Sequence, residues 1–347
     1  MVMGLKVGVL VMIFVQISYV LMNVIYKLAV EDGMNMRVLV AYRAMFAAAF
    51  MLPLALLFER KSRPKLSRVT IYQAFLCGLL GVTLAQNLYI EGLALTSTTF
   101  AVAVTNLNPA FTFILAVCFR VEKLRVGTMG GKAKVVGTVV GIGGAMISTF
   151  YQGIQIQIPT THFNVLHHNP APQVHVASSY DSFTRRLLGS IFALASCAAY
   201  ALWLIAQGKM NESYPYYYSS TALMTVMGFL QSLLLAICTV RDWNQWRLGF
   251  NIRLLSAAYS GIIPSGVVIA FISWCLTKRG PLFVSIFNPL AIVVMAIVGY
   301  LILDEKLHLE SILGATLIVC GLYMVLWGKS KEVKTTITSS QDLQQTA

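Results

Sequence analysis

The sequence predicts an all-α polytopic membrane protein, with ten transmembrane helices in two inverted five-helix repeats. Three observations predict it. The chain is 57% hydrophobic and 11% charged, where an ordinary globular chain carries about 25% charged residues. Its apolar residues come in runs of the length that a bilayer asks of a helix, about 20 residues. Finally, three anchors recur in the same order: Asn108-Pro109 and Asn288-Pro289, Glu122-Lys123-Leu124 and Glu305-Lys306-Leu307, then Gly137-x6-Gly144 and Gly314-x6-Gly321. Five spans per copy is an odd number, so the second copy enters the membrane in the opposite sense and the two copies meet near the midplane.

The spans read, in order, as 7–27, 38–58, 70–90, 97–119, 135–151, 187–207, 217–239, 254–276, 282–302 and 309–328. The first is too long for a cleaved signal peptide and lacks a small-residue cleavage site. The fifth is short and glycine-rich, a composition suited to close helix packing. Residues 1–151 form the first repeat, 152–186 an extracytosolic polar loop, 187–328 the second repeat and 329–347 a disordered cytosolic tail with too little apolar surface to fold. The loop holds four of the five histidines (His162, His167, His168, His175). Their spacing fits no compact ligand motif, so no metal is expected.

The net charge of +13 does not signal nucleic acid. The cations cluster between apolar runs, as at Arg60–Arg68 and Arg120–Lys134, and no basic face belongs to a soluble domain. With both termini cytosolic, 17 Lys and Arg fall on the cytosolic side and 8 on the other, with Arg43 inside a span; this is the positive-inside bias. The six cysteines all lie inside apolar runs without CxxC spacing and read as small core residues. No nucleophile elbow, HExxH or Walker loop is present, so neither an enzyme nor an ATP-driven pump is expected.

Several stretches resemble the plant nodulin-like, Walls-Are-Thin-related transporters, which carry two EamA domains within the drug/metabolite transporter superfamily. They are AYRAMFAAAF (41–50), QNLYIEGLALTSTTFA (86–101), NLNPAFTF (106–113), KAKVVGT (132–138), GPLFVSIFNPL (280–290) and GLYMVLWGKSKE (321–332). The resemblance covers nearly the whole chain. It implies ten helices in two inverted repeats, and movement of amino acids or related solutes, auxin among them, across the plasma or vacuolar membrane. It implies no organic cofactor.

Candidate site residues follow from the cost of polar groups inside a bilayer. Asn106, Asn108 and Pro109 on the fourth span, with Asn288 and Pro289 on the ninth, come first. Proline frees a carbonyl and asparagine offers both donor and acceptor, a set able to hold an amino-acid carboxylate and ammonium. Helix–helix hydrogen bonding is the alternative use. Gln86, Asn87 and Tyr89 form a polar cluster on the third span, and Trp274 lies near the end of the eighth; Tyr and Trp there also suit an interfacial belt. Arg43 and Glu91 are expected as an ion pair at the outer mouth, open to a substrate carboxylate or a proton, with a purely structural pair as the alternative. The expected partners are a small-molecule substrate and the lipid bilayer; oligomeric state is not readable. The function expected is secondary transport of small amphipathic solutes, with amino acids first and auxin-like acids second. A sugar-phosphate or nucleotide-sugar carrier and a non-transporting scaffold are the rivals.

Overall fold

A computed structural model describes residues 2–59, 66–95, 104–122, 127–150, 179–295, 313–314, 316–328 and 331. Among them every regular element is helical. Helix occurs at each of the ten expected places: α1 (Val2–Glu31), α2 (Met36–Phe58), α3 (Arg68–Leu95), α4 (Asn108–Cys118), α5 (Met129–Phe150), α6 (Ser179–Ser213), α7 (Tyr217–Thr239), α8 (Ile252–Arg279), α9 (Pro281–Met295) and α10 (Thr316–Gly328). Six of them (α1, α2, α3, α6, α7, α8) are long and apolar enough to cross a membrane. Large apolar side chains such as Leu57, Val139, Leu234 and Tyr323 point outward, as expected where the surrounding solvent is lipid. The Lys123-Leu124 and 305–307 anchors, the loop histidines and the tail apart from Lys331 lie outside the described residues.

Local chemistry sets the ends. Asn35 caps α2 by accepting from the Arg37 N–H at 2.9 Å, Ser67 caps α3 through Thr70, and Asn251 caps α8 through Arg253. At Gly280 the chain turns with φ 81°, which glycine adopts freely, and Pro281 opens α9. α6 begins at Ser179, ahead of the expected 187, so the last residues assigned to the loop are helical.

Contacts at the helix ends fix which ends share a face. On one face, called distal, Arg253 ion-pairs with Asp32 at 2.6 Å, and Tyr42 donates to the Trp246 carbonyl at 2.6 Å. On the opposite, proximal face, the Glu59 carboxylate accepts from the first N–H groups of α7, at 3.2 Å from Tyr218 and 2.7 Å from Ser219, an anion at a helix N-terminus. There Ser213 also donates to Gln73 at 3.0 Å, and buried Lys134 pairs with Glu122 at 2.9 Å. Successive helices therefore alternate in direction, and the two five-helix sets run oppositely.

The packing repeats across a pseudo-two-fold axis. α2 lies against α7, α3 packs on α7, and α8 packs on α2. α3 and α8 each contain a seven-residue π segment, Gly78–Leu84 and Gly261–Val267. A Cβ at Gly78 would fall 2.7 Å from the Gly228 nitrogen and 3.0 Å from the Met224 carbonyl; one at Gly261 would fall 3.1 Å from the Ala47 nitrogen and 2.6 Å from the Arg43 carbonyl. Arg43 thus corresponds to Met224, and Ala47 to Gly228. The repeated glycines of α5 and α10 close the arrangement. Gly137 meets Gly321 and Gly144 meets Gly314, the reciprocal pattern of a two-fold contact.

Not every sequence expectation holds in detail. Cys77, Cys197 and Cys275 are buried as expected, whereas Cys118, Cys238 and Cys320 are exposed; a thiol is small and apolar enough to sit on either side of a helix in lipid. Lys134, counted among the cations that set orientation, forms a pair with Glu122, with only 1% and 9% of their side chains exposed.

The glycine contact gives a direct test. Gly321→Leu puts a side chain where even a Cβ would lie 2.5 Å from the Gly137 oxygen; it should lower thermal stability by about 1–3 kcal/mol or abolish folding. Gly143→Ala, where a Cβ meets nothing within 4 Å, should be neutral or stabilising. Melting curves of the two purified variants decide it.

Candidate functional site

Both Asn-Pro dipeptides sit at breaks in their helices. Before α4 the chain turns at Asn106-Leu107, with the Leu107 N–H on the Val104 carbonyl at 2.9 Å, and helix resumes at Asn108. Pro109 falls in the first turn, where its missing donor costs nothing. In α9, helix Pro281–Ser285 gives way to turns through Asn288 and Pro289. Its bonds shorten to the i−3 register: Asn288 to Ser285 at 3.0 Å, Leu290 to Phe287 at 2.9 Å and Ala291 to Asn288 at 3.1 Å. The two broken helices touch, Phe113 packing on the apolar cluster that contains Phe283 and Phe287.

The polar groups of these breaks face the protein. Asn106, Pro109 and Pro289 are buried; Asn108 and Asn288 are partly buried. Among the described residues, the Asn106 Nδ2 and Asn108 Oδ1 atoms are buried without a hydrogen-bond partner. Each such group costs about 1–3 kcal/mol when left unmet.

α6 joins the two breaks. Along one stripe, Ser196 donates to the Ala85 carbonyl at 2.9 Å, Cys197 to the Val104 carbonyl at 3.3 Å, and Tyr200 to Asn288 Oδ1 at 3.4 Å. Tyr19 of α1 stands within electrostatic reach of both Tyr200 and Arg43. Neither tyrosine was a candidate from sequence. Once packing pairs Arg43 with Met224, the same separation makes Tyr19 and Tyr200 each other's counterparts in the two repeats.

The cluster on α3 is divided. Asn87 donates its amide back to the Thr83 carbonyl at 2.7 Å, in the π segment, while its Oδ1 is buried and unpartnered. Tyr89 is partly buried near Cys197, and Gln86 is partly buried. Trp274 packs on the apolar core.

Glu91 and Arg43 do not pair. Glu91 ion-pairs with Arg37, and both remain about one-third exposed. Arg43 lies about 9 Å deeper along α2, at 1.5 Å per residue. It is 8% exposed and turns toward the π segment of α8, where its Nε donates to the Ser265 hydroxyl, while its Nη1 donates to the Tyr26 hydroxyl of α1 at 3.4 Å. Depth alone placed Arg43 beside Glu91; the α2–α8 contact turns it away. Arg37 also lines a depression of about 500 Å³ on the distal face, with Asn35, Arg241, Asp242 and Gln245.

The observed pair predicts a compensation. Arg37→Glu and Glu91→Arg should each lower the melting temperature slightly, and the double exchange should restore it. Half-exposed pairs contribute about 0.2–1 kcal/mol, so a double-mutant cycle is the measurement required.

Comparison with known proteins completes the assignment. The EamA-like transporter family matches residues 6–150 and 187–327. The chain is 45% identical to the WAT1-related protein At1g68170 of Arabidopsis thaliana, covering 95% of this chain and 91% of that protein. It is 41% identical to the WAT1-related protein At1g25270 of the same plant, over 97% and 94%. A solved crystal structure superposes with a TM-score of 0.67 at 14% identity, covering 92% of this chain and 96% of its own, which speaks to the fold alone. With both halves matched and such relatives spanning nearly its full length, the chain belongs to the EamA-like transporter family, among its WAT1-related plant members, and is an integral membrane transporter.

Proposed function

We propose that the protein moves small amphipathic organic solutes, amino acids first and auxin-like acids second, as a secondary carrier or facilitator working by alternating access. The observation that carries this reading is the meeting of two broken helices, with Asn106 Nδ2 and Asn108 Oδ1 unmet among the described residues at one break and Asn288 held by Tyr200 at the other. Asn106 and Asn108 at one break and Asn288 at the other, with α6 reaching both through Cys197 and Tyr200, offer donors and acceptors where water is scarce, and a zwitterion can satisfy both kinds. Gln86, Asn87 and Tyr89 extend the polar lining, and Glu91 at the distal mouth is the carboxylate through which a proton would couple. A sugar-phosphate carrier would need several cations facing the pathway. Among the described buried residues the cations are Arg43 and Lys134, and Lys134 is committed to Glu122.

On this reading each repeat, 1–151 and 187–328, rocks against the other, with the distal face and the 152–186 loop away from the cytosol and both termini inside. The plasma or vacuolar membrane is the proposed site. The sequon Asn211-Glu212-Ser213 cannot report orientation, because Asn211 is buried and its amide donates to the Ser273 carbonyl at 3.1 Å. An Asn244→Cys variant in the distal connection can: when the protein is expressed at the plasma membrane, an impermeant thiol reagent should label it from outside intact cells, and labelling only after permeabilisation reverses the orientation.

Transport itself is tested in proteoliposomes containing the purified chain. Counterflow of labelled leucine or indole-3-acetic acid should exceed that of glucose-6-phosphate. Asn106→Leu with Asn288→Leu should lower it about tenfold or more, since each substitution removes a hydrogen bond to a charged group. Wild-type flux in the double variant, with normal incorporation, would remove these residues from the site.

A further inference from the structure

We propose that Arg43, with Ser265 and Tyr26, is the anion subsite of the transport pathway and selects solutes that carry a single carboxylate; this rests on the carrier reading given above. A guanidinium inside a span is costly unless its charge is met. Arg43 is nearly buried, and its hydrogen-bond partners are two hydroxyls. Hydroxyls satisfy donors but carry no charge. Among the described residues no carboxylate lies within ion-pair distance of it.

The repeat supplies the argument against a structural role. Met224 occupies the corresponding position in α7, where the same glycine-mediated contact, π segment on neighbouring helix, is made without any charge. There Met224 accepts from the Trp203 indole at 3.3 Å. The architecture therefore holds with a thioether at this place, and the positive charge is a departure that only one half makes.

Position supports the assignment. Ser265 belongs to the π segment of α8, which also contains Pro264, and π segments loosen the backbone at sites of this kind. Tyr19 lies within electrostatic reach of both Arg43 and Tyr200, and Tyr200 donates to Asn288. A solute anchored by its carboxylate at Arg43 has hydrogen-bond partners for its ammonium or indole N–H among these groups. One guanidinium balances one carboxylate, whereas a phosphate dianion would remain half met.

The test uses the full chain in proteoliposomes and in detergent, with wild type, Arg43→Met, Arg43→Lys and Ser265→Ala. Arg43→Met copies the solution of the other repeat and is chosen because it should fold. Leucine is compared with leucinamide, and indole-3-acetic acid with indole-3-acetamide. Wild type should favour each carboxylate over its amide. Arg43→Met should lower carboxylate flux about tenfold or more, as expected for a charged hydrogen bond, and leave amide flux within about twofold. Arg43→Lys should keep part of the preference, and thermal stabilisation by leucine in detergent should vanish in Arg43→Met. Equal flux of acid and amide in wild type, or an unchanged preference in Arg43→Met, would overturn the subsite while leaving the carrier reading intact. Absence of flux and of stabilisation for all four solutes in wild type would overturn both. A form of Arg43→Met that fails to fold, with Arg43→Lys also losing leucine-independent stability, would assign the residue to structure instead.

Discussion

The rest of the structure depends on a backbone contact made twice. The third helix of each repeat presses its π segment onto the second helix of the other, at Gly78 against Gly228 and at Gly261 against Ala47. Helices in lipid gain little from apolar burial, because the tails are as apolar as leucine, so close packing through small residues must supply the attraction. Widening either contact by one methylene would part α3 from α7 or α8 from α2. The same logic governs α5 and α10, where Gly137 and Gly144 meet Gly321 and Gly314. Neither repeat can complete its core alone, and this interlocking lets the two halves move as bodies instead of unravelling.

Within that frame the centre is free to be polar. Backbone groups inside a bilayer must find partners in the protein, and broken helices survive only where other elements meet their freed groups. α6 does this: Cys197 reaches the carbonyl just before the α4 break, and Tyr200 reaches the asparagine in the α9 break. The frame is nearly symmetric while the side chains are not. Tyr19 corresponds to Tyr200, yet Arg43 corresponds to Met224. A solute therefore meets a site with two different ends, as a molecule with a head and a tail requires.

Much of this was readable in the sequence, because lipid allows few solutions. Long apolar runs located the helices, and the repeated anchors pointed to the inverted pairing and to glycines suited to close packing, though not to which glycines touch. Asn-Pro inside an apolar run pointed to breaks because proline and asparagine there have few other uses. Side-chain direction was not readable. The partner of Arg43 depends on the rotation of α2 about its axis, which depth along the helix does not reveal, and so Glu91 found Arg37. Tyr200 lay in an alanine-rich stretch with nothing to single it out until the repeats were aligned through packing. The early start of α6 escaped because Asp181, Arg185 and Arg186 read as loop, although charged residues extend a helix readily once it leaves the apolar layer.

The central claim is that two interlocked, oppositely oriented repeats expose one shared polar centre to each face in turn. Spin-label distances across both faces test it most directly, with one pair at Leu95 and Asn244 on the distal face and another at Ser67 and Glu212 on the proximal face. On adding leucine the account predicts reciprocal change, one pair separating as the other closes, within the same sample. Distances that stay fixed on both faces, or that widen together, would contradict it.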